Sequence, residues 1–239
     1  MRSVWRTLDQ RTLRDIALVC LADAIVGVSF GAISVAGGLR PWVPVSMSVL
    51  IFAGGSQLAA VGVVLGGGSA VTAVVAGLIL NARLLPYGFA VADVTGPRWR
   101  TRLPGAHMIV DESVAFALSQ RDRPRRRAAF WASGVTLFVC WNLAVAAGTL
   151  AGSAISDTGA FGLDAAFPAV LLALVMPALA DRGTRSAALA GAVIAVALTP
   201  VLPAGLPVLL ALAGLVLAAR APATRPPAAA TAPAGEAPR

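Results

Sequence analysis

The chain has 239 residues, of which 58% are hydrophobic and only 13% are charged. A soluble domain usually carries about 25% charged residues, so this composition excludes a small soluble enzyme, a disordered chain and a disulfide-stabilised secreted domain. The formal net charge is +8, but the arginines stand in short groups between apolar stretches. That arrangement is typical of loops that orient a membrane protein, not of a nucleic-acid-binding surface. The sequence therefore predicts an integral membrane protein with no nucleic-acid partner.

Seven apolar segments are candidates for membrane spans, since about 20 apolar residues cross the roughly 30 Å of hydrocarbon. We predict an all-α, polytopic transmembrane helical bundle, with a cytoplasmic tail at 1–15, a transmembrane domain at 16–220 and a basic cytoplasmic loop at about 93–127. The Pro/Ala-rich residues 221–239 are predicted to be disordered. The candidate segments are 16–38, 43–66, 69–92, 128–151, 165–180, 186–202 and 204–219.

The second segment, 43–66, is predicted to be broken or re-entrant. Two glycines and two polar residues stand at its middle, in the sequence FAGGSQ at 52–57. A re-entrant segment also returns the basic loop to the cytoplasm, which places all 19 arginines except Arg40 and Arg83 on the inner side. The alternative is a fully helical second span followed by an unusually basic outer loop. In the re-entrant arrangement both termini are cytoplasmic.

Polar side chains within apolar segments are the candidates for function, because burying them without partners costs several kcal/mol. Arg83 follows a long apolar run, where its guanidinium could clamp a substrate carboxylate or pair with Asp93 or Asp111. Snorkelling to the interface is another alternative. The remaining candidates are Asp23, Ser56, Gln57, Asn81, Asp93, Asp111 and Glu112.

Two short sequences indicate where such side chains cluster. Asn81 and Arg83 do not share a helical face, and Pro86 removes a backbone hydrogen bond near Ala82, so this stretch predicts a kinked or interrupted helix. Transporters hold charged substrate groups at such helix ends, although an ordinary proline kink would look the same. Asp111 and Glu112 open the short apolar stretch 108–118, which is too short to span and is predicted to be interfacial or re-entrant. Either the helix dipole stabilises these two carboxylates at a helix N-terminus, or they bind a proton or an ammonium group.

Small residues and cysteines are interpreted as packing residues. Gly27/Gly31, Gly62/Gly66 and Gly148/Gly152 have the spacing that lets helices approach closely. Cys20 and Cys140 are too few for a metal site or a disulfide framework, and no cofactor or metal is expected. Gly38, Leu39 and Pro44 recur as Gly162, Leu163 and Pro168, which is consistent with an internal repeat.

Three functional classes fit these residues. A secondary transporter of a small solute is favoured by the broken segment and the intramembrane charges. An intramembrane hydrolase is disfavoured, because His107 is the only histidine and GGSQ is not the G-x-S-x-G elbow. A scaffold subunit without its own transport site is the third class, in which the polar residues would only join helices.

The sequence resembles the AzlC-type branched-chain amino-acid permeases. The resemblance covers roughly residues 20–180 and rests on an ordered series of short motifs. The motifs are Phe30-Gly31 through Gly38-Leu39, Met47-Ser48 with FAGGSQ at 52–57, Asn81-Ala82-Arg83, Asp111-Glu112-Ser113, Trp141-Asn142, and Gly162-Leu163-Asp164 through Pro168.

The resemblance implies export of valine, leucine and isoleucine across the bacterial cytoplasmic membrane, driven by the proton motive force. It also implies that this chain is a large subunit that works with a small AzlD-type membrane subunit. We expect the substrate carboxylate near Arg83 or the backbone amides of residues 54–57, and its ammonium near Asp111 or Glu112. The predicted substrate-binding residues are Gly54, Gly55, Ser56, Gln57, Asn81 and Arg83, and the predicted proton- or ammonium-binding residues are Asp111, Glu112 and Asp23.

Overall fold

The computed structural model describes residues 7–96, 98–154, 172, 176, 178–202 and 206–220. This part of the chain is helical and contains no strand. Its elements are α1 (Gln10–Ala36), α2 (Trp42–Leu50), α3 (Gly54–Leu65), α4 (Ala70–Asn81), α5 (Leu84–Ala90), α6 (Ala92–Thr95), α7 (Trp99–His107), α8 (Asp111–Leu118), α9 (Arg123–Ala154), a 3-10 turn at Ala178–Ala180, α10 (Arg182–Leu198), α11 (Leu206–Leu210) and α12 (Ala213–Arg220).

Three helical stretches among these residues are long and apolar enough to cross a membrane: Gln10–Ala36, Ala70–Ala90 and Arg123–Ser153. They correspond to the predicted segments 16–38, 69–92 and 128–151, and the predicted all-α membrane bundle is confirmed. Segment 186–202 falls largely on α10, whose 17 residues measure about 26 Å. The described residues of segment 204–219 form α11 and, after a turn, most of α12.

Some predictions concern residues beyond the described part of the chain. Most of segment 165–180 lies there, as do the first six residues and the tail 221–239. The second copy of the predicted repeat, from Gly162 to Pro168, also lies outside the described residues.

The two longest helices, α1 and α9, run in the same direction and touch through glycines. A Cβ atom built on Gly148 would lie 2.0 Å from the carbonyl oxygen of Val28, and one on Gly152 would lie 2.7 Å from that of Ala32. Residue numbers therefore increase in the same direction along both helices, and the two backbones are in direct contact. We call this contact the glycine seam; it is formed by Gly27, Gly31, Gly148 and Gly152.

The seam confirms the packing interpretation of two glycine pairs, but the third pair behaves differently. Gly66 follows the end of α3, and a Cβ atom there would meet only carbonyl oxygens of its own helix, those of Gly62 and Val63. The Gly62/Gly66 spacing therefore marks no helix crossing at Gly66. Glycine serves there as the helix cap, and Gly67 next to it takes a positive φ of 82°.

The second predicted segment is a broken hairpin. α2 ends at Leu50 and α3 begins at Gly54. Phe52 between them has a φ of 42°, in the left-handed region that bulky residues rarely adopt. Leu65, the last residue of α3, lies against Gly37, which precedes α2. The hairpin thus starts and finishes at the same end of α1, as the re-entrant interpretation predicts.

The direction of α4 and α5 completes this topology. The carbonyl oxygen of Ala90, at the end of α5, accepts a hydrogen bond from Arg126 at the start of α9. α4 and α5 therefore run from the far end of α1 back to the beginning of α9. Because α1 and α9 are parallel, the chain between them makes one net crossing, which α4 and α5 supply. A fully spanning second segment would have made the two helices antiparallel.

A second pair of short helices, α7 and α8, approaches the hairpin from the opposite end. The ring Nε2 of His107, the last residue of α7, lies 2.9 Å from the carbonyl oxygen of Val49 near the end of α2. α8 begins at Asp111 and then runs back beside the first half of α1, where Ser119 and Thr12 line one cavity. The predicted short helix at 108–118 is thus α8.

Candidate functional site

A cavity of about 230 Å³ lies where the two pairs of short helices meet the long helices. It collects six of the nine predicted site residues: Asp23, Gly54, Gly55, Arg83, Asp111 and Glu112. We call it the central cavity. Asp23 stands at the middle of α1, so these groups lie about half-way along the longest helices. Its other lining residues are Val26, Phe52, Ala53, Leu58, Leu84, Val110, Leu137 and Trp141.

Arg83 and Asp111 form an ion pair at the edge of this cavity. The guanidinium Nη1 lies 3.0 Å from the carboxylate Oδ2, and both side chains are partly exposed. The other carboxylate oxygen, Oδ1 of Asp111, is buried without a hydrogen-bond partner. Of the two predicted ion pairs, the one with Asp111 is observed; Asp93 instead lies 3.4 Å from Arg126. Asp111 therefore meets Arg83 through one carboxylate oxygen only.

The N-terminus of α3 faces the same cavity beside Arg83. α3 begins at Gly54, and Ala53 before it supplies no side-chain cap. The amides in the first turn of a helix have no acceptor within the helix and carry partial positive charge. A Cβ atom on Gly55 would lie 3.3 Å from Nη2 of Arg83. The helix end and the guanidinium are thus neighbours, which is an arrangement suited to an anion.

The position of the break differs from the predicted one. The backbone is unwound at 51–53, whereas residues 54–57, which the sequence placed at the middle of the break, are helical. The amide of Gln57 donates to the carbonyl oxygen of Ala53 at 3.0 Å. Only the amides of residues 54–56 therefore remain without an intrahelical acceptor. The absence of a side chain at Gly54 also leaves room for the ring of Trp141, which would lie 3.0 Å from a Cβ atom there.

Three acidic side chains also line the central cavity. Asp111 and Glu112 are the first two residues of α8, where the helix dipole favours negative charge, so both predicted readings of this pair fit its position. Asp23 of α1 lines the cavity beside Glu112. The turn before α8 is fixed by Ser113, whose hydroxyl donates to the carbonyl oxygen of Met108 at 2.6 Å. This turn presents two carboxylates to the cavity, and α1 adds Asp23 as the third.

The side chain of Gln57 is engaged in the protein interior. It is fully buried; its Nε2 donates to the carbonyl oxygen of Met47 at 2.7 Å, and its Oε1 accepts from the indole of Trp141 at 3.2 Å. It lines none of the cavities described here. Gln57 was predicted to bind substrate, but its side chain bonds to protein groups and so connects α2, α3 and α9.

Ser56 and Asn81 face a different space. Together with apolar residues of α2, α3 and α4 they line a larger cavity of about 590 Å³, which we call the lateral cavity. The hydroxyl of Ser56 donates to the carbonyl oxygen of Ala53, and Oδ1 of Asn81 is buried without a partner. Asn81 and Arg83 therefore face different cavities, as their spacing predicted. The helix is interrupted between α4 and α5, in accordance with the predicted effect of Pro86.

Two aromatic residues that line the central cavity, Phe52 and Trp141, were not among the candidates from the sequence. Phe52 packs edge-on against Phe138 at 5.0 Å, and His107 packs against both rings. Trp141 closes the apolar side of the central cavity and stacks on Phe30 at 6.1 Å. Apolar rings in apolar segments carry no local signal of function. The Trp141-Asn142 motif of the resemblance was the available hint.

The described residues contain no group of three or more His, Cys, Asp or Glu side chains that could hold a metal ion.

Discontinuous helices around a charged cavity are typical of helical membrane proteins that transport solutes. A sequence model of the family described as "AzlC protein" matches residues 18–155, which is more than half of the chain. The protein belongs to the AzlC family and is a transport-related membrane protein; this family is not one of enzymes. Neither a curated protein nor a solved structure matches the chain.

Proposed function

We propose that this chain is the large subunit of a secondary transporter that exports branched-chain amino acids. The observation that supports the proposal is the central cavity of about 230 Å³, which is lined by a guanidinium, a helix N-terminus, three carboxylates and apolar side chains. A zwitterion with an aliphatic side chain needs positive, negative and apolar groups of this kind. The pockets of drug-sized ligands measure roughly 300–1,000 Å³, so the cavity suits a smaller solute.

The substrate carboxylate is assigned to Arg83 and the N-terminus of α3. A guanidinium can donate two parallel hydrogen bonds to a carboxylate, and the first amides of α3 add donors beside it. The proximity of Gly55 to Nη2 of Arg83 supports one shared anion site. The same guanidinium pairs with Asp111, with Nη1 3.0 Å from Oδ2.

The substrate ammonium is assigned to Asp111, with Glu112 and Asp23 nearby. Oδ1 of Asp111 is buried and lacks a partner, and a buried acceptor without a donor costs free energy. An ammonium group supplies that donor. The ion pair then becomes a bridge, in which substrate carboxylate and ammonium each meet the opposite charge. The side chain of the substrate lies against Val26, Leu58 and Leu137.

Proton coupling is assigned to Glu112, because of its position between two cavities. It lines the central cavity and also a second one of about 350 Å³, which we call the N-terminal cavity and which contains Thr12 and Asp15 of α1. Asp111, Asp23 and Arg83 face it from the central side, and Asp15 from the other. A carboxyl at this boundary can take a proton from one cavity and release it to the other.

The orientation and the partner follow from charge and family. Arg11 and Arg14 at the start of α1 share one end of the bundle with the arginines that begin α9, because the two helices are parallel. The positive-inside rule makes that end cytoplasmic. We infer a bacterial cytoplasmic membrane location with both termini inside, and a small AzlD-type membrane subunit as the partner.

Amino-acid efflux tests this proposal directly. Bacterial cells that express the chain with or without an AzlD-type subunit are preloaded with a valine-containing dipeptide, and the valine released is measured with and without a protonophore. We expect faster efflux that requires the partner and collapses with the protonophore. Leucine- and isoleucine-containing dipeptides extend the test across the substrate class.

Two results would contradict the proposal. Unchanged efflux of all three amino acids, with both subunits detected in the membrane, would exclude the substrate class and leave a transporter of another small solute or a scaffold subunit. Valine efflux that persists with the protonophore would exclude proton coupling while retaining the substrate.

A further inference from the structure

One large ring lines the central cavity beside the N-terminus of α3. Trp141 is 6% exposed and lines the cavity from α9. A Cβ atom built on Gly54 would lie 3.0 Å from Cη2 of this ring. The indole edge therefore touches the first residue of α3, directly beside the amides assigned to the substrate carboxylate.

Two contacts hold this ring, one to α1 and one to α3. Phe30 of α1 stacks on it, with the two rings inclined by 25°. Gln57 of α3 accepts its indole N–H and donates in turn to Met47 of α2. Because Gln57 is fully buried with both ends of its amide bonded, it fixes the ring relative to both arms of the hairpin. A ring so constrained is a rigid boundary.

A rigid ring directly beside the anion site limits the space that is left in the cavity for the side chain of a bound amino acid. We propose that Trp141 sets the upper size limit of the substrate side chain, and that Gln57 is a positioning residue that holds the indole in place. This inference rests on the proposed function of the same cavity. In apolar pockets one methylene group changes discrimination by about 10–200-fold, so a ring wall can separate aliphatic from aromatic amino acids.

The test measures selectivity ratios in proteoliposomes that contain the chain with its AzlD-type partner. Transport of labelled valine, leucine and phenylalanine is compared for the wild type, Trp141→Phe and Gln57→Leu. We expect Trp141→Phe to raise the phenylalanine-to-valine ratio by about tenfold or more. Gln57→Leu should shift the ratio in the same direction by a smaller factor, about threefold. A purely structural defect would lower all three rates together and leave the ratio unchanged.

Two further variants complete the design. Gly54→Ala narrows the same space from the α3 side, so the leucine-to-valine ratio should fall. Trp131→Phe is the matched control, because its indole donates to the carbonyl oxygen of Val94 and it does not line the central cavity. Its ratios should equal those of the wild type.

The outcomes separate this inference from the proposed function. A wild type that transports valine, with unchanged ratios in Trp141→Phe, would overturn the size limit and leave the proposed function standing. A wild type that transports none of the amino acids would overturn both. If the phenylalanine-to-valine ratio shifts in Trp141→Phe but not in Gln57→Leu, Gln57 has no positioning role, and Trp141 still limits the size of the substrate.

Discussion

The glycine seam and the central cavity use the same two long helices in opposite ways. At the seam, α1 and α9 meet backbone to backbone, and the glycines leave no space for a side chain. One or two turns away, Asp23 and Trp141 of the same helices line an open cavity with Arg83 and Asp111. The comparison shows that two helices can be tightly packed along one stretch and line a cavity along another. The cavity exists where the adjacent helices, α2/α3 and α4/α5, are interrupted.

The largest effect is expected at the seam. Gly148→Ala places a Cβ atom 2.0 Å from the carbonyl oxygen of Val28, and backbone cannot move aside as a side chain can. Overpacking usually costs about 1–3 kcal/mol, and we expect the free energy of unfolding to fall by about 3 kcal/mol or more. The folded fraction after heating in detergent measures this. Ala147→Val is the control, since Ala147 is exposed on the same turn. Equal stability of the two variants would contradict the seam.

The next largest effect is expected in the ion pair. Arg83→Lys keeps the charge but loses the planar fork that binds a carboxylate through two hydrogen bonds. We expect valine efflux to fall by about tenfold or more, while the amount of folded protein stays near that of the wild type. Arg125→Lys is the matched control, because Arg125 pairs with Asp122 on an exposed part of α9. Wild-type efflux by the Arg83 variant, at normal membrane levels, would remove Arg83 from the site.

A more selective effect is expected at the boundary between the two cavities. Glu112→Gln keeps the size and polarity of the side chain but cannot exchange a proton. Substrate exchange between equal pools should persist, whereas efflux driven by a pH gradient should lose its dependence on the gradient. Asp15→Asn, which lines only the N-terminal cavity, should slow the driven efflux without removing its dependence on the gradient. Gradient-driven efflux by the Glu112 variant at the wild-type rate would exclude Glu112 as the proton carrier.

The smallest effect is expected where a glycine borders the site without touching backbone. A Cβ atom on Gly55 would lie 3.3 Å from the flexible end of Arg83, so the guanidinium needs to move by a few tenths of an ångström. Since misplacement by 1 Å can cost about a hundredfold, we expect Gly55→Ala to reduce efflux by about two- to fivefold. Gly77→Ala serves as the control, because its nearest contact would be an ordinary 3.7 Å from Ser56. A loss as large as that of Arg83→Lys would mean that the cavity cannot adapt.

The sequence predicted features that follow from local chemistry. Apolar length located the long helices, and the composition FAGGSQ indicated a break near its actual place. Pro86 marked the interruption after Asn81, and the charge of Arg83 demanded a partner in an apolar setting. The polar candidates were found because burying such groups is costly, which leaves a signal at each residue by itself.

Contacts between distant residues escaped local reasoning. Arg83 had two equally good carboxylate partners in the sequence, and only the packing of α5 on α8 selected Asp111 over Asp93. Gln57 and Asn81 appeared as site residues by polarity alone. In the structure Gln57 is hydrogen-bonded to Met47 and Trp141, and Asn81 lines the lateral cavity.

The sequence by itself determined the membrane class, the long helices, the breaks and the polar residues that need partners, because hydropathy and backbone chemistry act within a few residues. Only the tertiary structure decided that α1 and α9 are parallel, that the second segment returns to its starting end, and that Trp141 forms the cavity wall. These properties depend on which surfaces meet across more than 100 residues of chain. Such contacts are selected by shape and close packing, which no local pattern encodes.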